Sequence, residues 1–210
     1  MTNQGRFITF EGGEGCGKTT QIQILEESLK SKNIPVIKVR EPGSTVGSEL
    51  LRKVLKDTEG TEWDAISQVL ILYAARRDLV QKVIKPALGQ GTWVICDRFA
   101  DSTFVYQGHT QEVGIDFVRT IHQATLKDFA PDLTFFFDLP PEEGMKRARK
   151  RNSKDFFEEK SLSFHRKVYE GYKILSHESK RIITVPANQS IKLISEKIMK
   201  TLQEKFYISF

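Results

Sequence analysis

Cysteine is scarce in this chain: only Cys16 and Cys96 occur among its 210 residues. Two isolated thiols can neither staple a disulfide scaffold nor build a cysteine-rich metal site. The four histidines, His109, His122, His165 and His177, lack metal-ligand spacing and draw no catalytic role. No apolar run approaches the roughly 18 residues of a membrane span, so no membrane partner is expected. The opening residues, Met1 to Arg6, lack the apolar stretch of a secretory signal. Internal repeats, low-complexity tracts and interdomain linkers are also missing. These absences point to a reducing cytoplasm and to one domain spanning residues 1–210, with room for a short lid.

An excess of one charge sign is nearly absent as well. The formal net charge is +5, from 32 Lys and Arg against 27 Asp and Glu. Much of that excess falls in Lys146-Arg-Ala-Arg-Lys-Arg151. With no aromatic-studded basic sheet and no nucleic-acid motif, anionic small substrates account for it, and no nucleic-acid partner is expected.

What is present is a phosphate-binding loop. Gly12-Gly13-Glu14-Gly15-Cys16-Gly17-Lys18-Thr19, followed by Thr20, matches G-x-x-x-x-G-K-[ST] in full. Glycines let the backbone turn tightly and aim successive N–H groups at phosphate oxygens. Lys18 supplies a point charge for β- and γ-phosphates, and the Thr19 hydroxyl can ligate Mg²⁺. A following helix adds the positive end of its dipole. The context fits: Arg6 to Phe10 reads as a buried strand, and Ile22, Leu25 and Leu29 share one helical face afterwards. The loop therefore predicts a nucleoside triphosphate as ligand.

Five apolar runs predict strands at Phe7–Phe10, Val36–Val39, Trp93–Cys96, Leu133–Asp138 and Ile182–Val185. Helical patterns separate them at about 18–32, 46–57, 64–88, 113–128, 141–150, 158–178 and 190–205. Alternation of this kind predicts an α/β fold, a five-stranded parallel sheet with helices on both faces. Ligands then bind beyond the carboxyl ends of the strands. Those ends carry Glu11, Arg40-Glu41, Asp97-Arg98 and Asp138. Asp97 can hold Mg²⁺ or its water shell, and Arg98 can grip a second anion through its fork; a local ion pair or helix cap is the plainer alternative. Taken alone, Arg40–Glu41 and Arg76–Arg77 read as solvated pairs. The basic stretch 146–151 reads as a solvated helix face or as a lid, at about 146–158, that closes over phosphates.

Taken together, these segments resemble the thymidylate kinase family of nucleoside monophosphate kinases. The matching stretches are collinear: Phe10 to Gln21, Arg40-Glu-Pro-Gly-Ser-Thr45, Tyr73-Ala-Ala-Arg76, Asp97 to Ser102 with Tyr106-Gln-Gly108, and Leu139 to Arg149. The resemblance implies a P-loop NTPase three-layer fold, a homodimer, and ATP + dTMP → ADP + dTDP with Mg²⁺, for dTTP synthesis. It implies that Gly12 to Thr20 hold ATP, with Thr19, Asp97 and Glu11 at the metal. Glu11, Arg52, Leu72, Arg76, Arg98, Ser102, Thr103, Tyr106 and Gln107 would form the dTMP site. In that site Arg98 takes the phosphate, with Arg52 as helper. Arg76 and Thr103 face the base, and Tyr106 packs near the sugar 2′ carbon.

Two departures from the family pattern have consequences. Glu14 and Gly15 stand where some members carry a catalytic arginine in the loop, which resembles the bacterial type with a basic lid. The usual Asp-Arg of that lid is Asp155-Phe156 here, so Arg151 is expected to substitute as catalytic cation, supported by Arg147 and Arg149. Leu72 replaces the phenylalanine on which the family stacks thymine, which weakens base binding unless another ring, such as Phe104, fills in. The alternatives are another P-loop nucleotide or deoxynucleoside kinase, a GTPase-like switch, for which the Asn-Lys-x-Asp motif is missing, and a nucleic-acid ATPase suggested only by charge.

Overall fold

The computed structural model describes residues 5–56, 62–149 and 160–208. Five strands, β1 (Phe7–Glu11), β2 (Val36–Arg40), β3 (Trp93–Asp97), β4 (Leu133–Asp138) and β5 (Ile182–Pro186), pair in parallel in the order β2-β3-β1-β4-β5. Their limits fall within one residue of the sequence expectation. Central β1 is buried along its whole length. The chain runs from β1 out to β2, back to β3, and then past β1 to β4, so a crevice opens beyond the carboxyl ends of β1, β3 and β4.

Strand alternation sends neighbouring residues to opposite faces. Ile8, Phe10, Ile95, Phe135 and Phe137 meet Leu25 and Leu29 of α1 (Lys18–Ser31) and Ile198 and Leu202 of α9 (Ile191–Phe206). Phe7, Val94 and Cys96 face the other way, onto Val69, Tyr73 and Leu79 of α3 (Ala65–Leu79) and Val118 and Leu126 of α6 (Ile115–Leu126). Each such fully buried side chain contributes about 1.5–3 kcal/mol of transfer free energy. The same parity places Thr9 and Glu11 on the Phe7 face, where Thr9 Oγ1 shares a 2.6 Å hydrogen bond with Thr134 of β4.

The helix expected at 64–88 is present but interrupted. Asp64 caps α3 by accepting from the Ile66 and Ser67 amides. A π-helical turn, Val80–Ile84, then joins α3 to α4 (Lys85–Gly89). Pro86 lacks the N–H that a regular ladder needs, and the helix widens just before it. One helical segment was not legible: α5 (Ala100–Thr103) continues as a π-helix, Phe104–Thr110. Its β-branched residues and Gly108 give weak propensity. Tertiary contact supplies the order, because Val105 and Tyr106 pack with Val168 and Tyr172 of α8 (Leu162–Glu178). The remaining helices are α2 (Val46–Lys56) and α7 (Pro141–Arg149). Among the described residues, no helix is long and apolar enough to cross a membrane.

Candidate active site

The loop between β1 and α1 has the conformation its glycines allow. Gly12, Gly15 and Gly17 take φ of 138°, 69° and 98°, a region that disfavours any side chain. Lys18 Nζ donates to the carbonyls of Gly12 (3.1 Å) and Gly13 (3.0 Å), and lies 3.6 Å from Cys16 Sγ. Thr19 and Thr20 are exposed in the first turn of α1, which has no side-chain cap. Its amides are therefore oriented for an anion.

Thr19 Oγ1 lies 3.5 Å from Asp97 Oδ2 at the carboxyl end of β3. A hydroxyl and one carboxylate are hard oxygen donors. Mg²⁺ is commonly held by one or two such groups, with phosphate and water oxygens completing its shell. No cluster of three or more His, Cys, Asp or Glu suited to a metal occurs among the described residues. The donor set thus fits Mg²⁺ held mainly by its nucleotide, not a metal caged by protein.

Glu11, which the resemblance places near the metal, is buried behind the cleft. It accepts from the Phe99 amide (2.7 Å), Ser102 Oγ (2.7 Å) and Tyr172 Oη (2.8 Å). These bonds anchor the turn that carries Arg98, which holds φ of 67°, a strained value for a non-glycine residue. Burial, then the Asp101 carboxylate, raises the Glu11 pKa from 4.5 to about 7, against the pull of Arg98 and the two hydroxyls.

From that turn Arg98 reaches the phosphate loop. Its Nη2 donates to Glu14 Oε1 at 2.5 Å, and Nη1 lies 3.3 Å from both Ser102 Oγ and Tyr172 Oη. The guanidinium sits 5.3 Å above the Tyr106 ring. Burial opposes the charge on Glu14, but Arg98, then Lys18 and His165, outweigh it and hold its pKa below the ordinary value.

A cleft of about 840 Å³, open solvent included, runs from Glu14 and Arg98 to the start of α3. At its inner end Arg76 Nε donates to Glu41 Oε2 at 2.7 Å, and Nη2 donates to Thr103 Oγ1 at 3.0 Å and the Phe99 carbonyl at 3.2 Å. The Arg76 guanidinium lies 4.5 Å above the Tyr73 ring. Arg76 Nη1 and Glu41 Oε1 are buried without hydrogen-bond partners among the described residues. Arg76 and Glu41, each expected in a solvated pair with its sequence neighbour when taken alone, instead form a buried pair, with side chains 1% and 4% exposed. Arg40 does follow that plainer reading, pairing in the open with Glu49.

The cleft brings together Arg52, Leu72, Arg76, Arg98, Ser102, Thr103, Tyr106 and Gln107. Glu11 lies behind them, in contact with Ser102. Arg52 Nη1 donates to the Pro42 carbonyl at 2.8 Å. Phe104 does not line the cleft; it packs in the α3–α6 core, 6.1 Å from His122. Arg147 donates to the Ala187 carbonyl at 3.1 Å, and Arg149 is exposed. Arg151, Asp155 and Phe156, and most of the expected lid, lie outside the described residues. Sequence reading missed Tyr172, Gln68 and Trp63, and placed Glu41, taken alone, in a solvated pair. Tyr172 and Gln68 sit on ordinary helical faces with no motif to mark them. Glu41 carried a signal, its place at a strand end in a matched segment.

A thymidylate kinase family model matches residues 10–198. A thymidylate kinase of Afipia carboxidovorans is 46% identical over 96% of this chain and 90% of its own length. One of Magnetococcus marinus is 40% identical over 99% of this chain and all of its own. One of Shouchella clausii is 41% identical over 95% of each.

Proposed function

Because the chain belongs to the thymidylate kinase family, we propose that its cleft and phosphate loop work as one dTMP-phosphorylating site. The enzyme is a nucleoside monophosphate kinase, a phosphotransferase that converts ATP and dTMP to ADP and dTDP. One observation carries the assignment of roles: Arg98, a cation of the acceptor cleft, touches Glu14 of the donor loop. Two phosphates bound at these places are brought side by side.

The residue roles follow from charge and position. The amides of 12–19 and Lys18 hold the β- and γ-phosphates of ATP. Arg98, with Arg52, holds the acceptor phosphate, and Ser102 and Glu11 position Arg98. Arg76 Nη1, the unmatched buried donor, faces a base carbonyl, while Thr103, Gln107 and Leu72 shape the base site and Tyr106 the sugar site. Thr19 and Asp97 would hold Mg²⁺, which supplies neutralisation of charge on the bridging and γ-oxygens. The acceptor oxygen is already an anionic nucleophile, so no general base is needed; the chain's task is alignment and electrostatic stabilisation. The basic lid, with Arg147, Arg149 and Arg151, completes the positive charge on closure.

Val46, Leu50 and Val54 on α2, with Ile66 and Leu70 on α3, are exposed apolar side chains on packed neighbouring helices. They support a homodimer through that face. Cys16 and Cys96 are free and buried, in keeping with a cytoplasmic enzyme.

The test is ADP production from ATP and Mg²⁺ with dTMP, dUMP, CMP, AMP, GMP and thymidine. Rapid turnover with dTMP, less with dUMP and none with the others is expected. Preference for thymidine over dTMP would overturn Arg98 as a phosphate clamp.

A further inference from the structure

Leu72 gives the base end of the cleft no aromatic face, and the cleft contains a ring whose role is unassigned. Trp63 is half-buried and lines the same cleft as Leu72, Gln68 and Arg76. The last three stand at every fourth position and share one face of α3. Trp63 precedes them and spans to α2, its indole Nε1–H donating to the Val54 carbonyl at 2.9 Å. Its own carbonyl accepts from Gln68 Nε2 at 2.8 Å. Gln68 Oε1 in turn accepts from Gln107 Nε2 at 3.0 Å and Gln111 Nε2 at 3.1 Å. Trp63 is thus held by α2 through its indole N–H and by cleft-lining Gln68 through its backbone carbonyl.

The other rings on the cleft are already committed. Phe99 lies beneath the Arg76 guanidinium at 5.3 Å, and Tyr106 beneath Arg98 at 5.3 Å. Among the described residues, the Trp63 ring has no such aromatic or cationic partner. We infer that Trp63 is the aromatic wall of the acceptor base site, supplying to the pyrimidine the ring contact that Leu72 lacks. This rests on reading the cleft as the acceptor site.

The chain holds one other tryptophan, Trp93, buried in the core 5.5 Å from Phe206. Fluorescence that responds to dTMP therefore reports Trp63. Titration of the wild-type enzyme with dTMP should change tryptophan emission, and Trp63→Leu should abolish that change. Trp63→Leu should also raise KM for dTMP by about two- to tenfold, the size of an aromatic pair contribution, and leave KM for ATP in place. Trp63→Phe, which keeps a ring but loses the bond to Val54, should restore KM for dTMP. Leu72→Phe added to Trp63→Leu should recover part of it. A wild-type KM in Trp63→Leu, or Trp63→Phe as impaired as Trp63→Leu, would overturn the inference while leaving dTMP turnover, and so the acceptor reading, intact. Absence of dTMP turnover in the wild-type enzyme would overturn both.

Discussion

Gly15 of the phosphate loop and Gly144 of α7 meet backbone to backbone, so closely that neither has room for a Cβ. A methyl on Gly15 would strike the Gly144 carbonyl, and one on Gly144 would strike the carbonyl of Glu14. The helix that leads to the basic stretch is therefore seated on the loop assigned to ATP. Gly144→Ala, in a helix where alanine has better propensity, must push α7 and the loop apart. We expect KM for ATP to rise at least fivefold while the far-ultraviolet spectrum is retained. An unchanged KM for ATP would show that the loop does not need this seat.

Arg98 and Glu14 give a second expectation. Their pair is only 18% and 20% exposed by side chain, so neither charge is well served by water. Arg98→Lys keeps the charge and loses the fork that can hold two phosphate oxygens. A charge-assisted hydrogen bond is worth about 1.5–3 kcal/mol, so kcat/KM for dTMP should fall by about 10- to 100-fold. Steady-state kinetics with dTMP varied at saturating ATP check this; a loss confined to KM for ATP would move Arg98 to the donor side.

Leu50 and Leu70 are 57% and 49% exposed on α2 and α3. Placing a charge at either position opposes burial against a second copy. Leu50→Glu and Leu70→Glu should convert a dimer to a monomer at micromolar concentration in sedimentation velocity. A wild-type protein that sediments as a monomer would remove the dimer from the reading.

Much of the architecture was readable because its signals are local. The phosphate loop is contiguous, β1, β3 and β4 are short runs dominated by apolar residues, and helix boundaries carry caps such as Asp64 and Ser190. The π-wound segment 104–110 was not readable, because its order comes from α8 and α6 across the fold. The same reason hid Tyr172, whose hydroxyl meets Glu11 from 161 positions away. The residues that the resemblance groups, from Arg52 to Gln107, line one cleft. Glu11 accepts from the turn that follows Arg98, and Phe104 turns into the core while Trp63 lines the cleft. Side-chain direction at such positions is set by long-range packing that no sequence window contains.

Asp101 and Arg181 connect stability to pH. Asp101, 1% exposed, accepts both Arg181 Nη2 (2.5 Å) and Nη1 (2.7 Å), and Arg181 also donates to Thr134 Oγ1 at 2.6 Å. Asp101 lies beside Glu11 and is the second cause, after burial, of its raised pKa near 7. A carboxyl whose folded pKa exceeds its unfolded value binds its proton more tightly when folded. Stability from this group is therefore greatest at low pH and declines as pH rises from about 4.5 through about 7. Glu11→Gln should flatten that part of the profile, measured by urea unfolding between these limits. Asp101→Asn removes the repulsion and leaves Arg181, a quarter exposed, without its carboxylate. It should cost about 2–4 kcal/mol, somewhat less than a fully buried broken pair. In the same variant the remaining pH-dependent decline should move to lower pH, because the Glu11 proton is then released more easily. A pure structural loss would lower the whole curve without that displacement. Parallel curves would show that Asp101 serves the fold and does not tune Glu11.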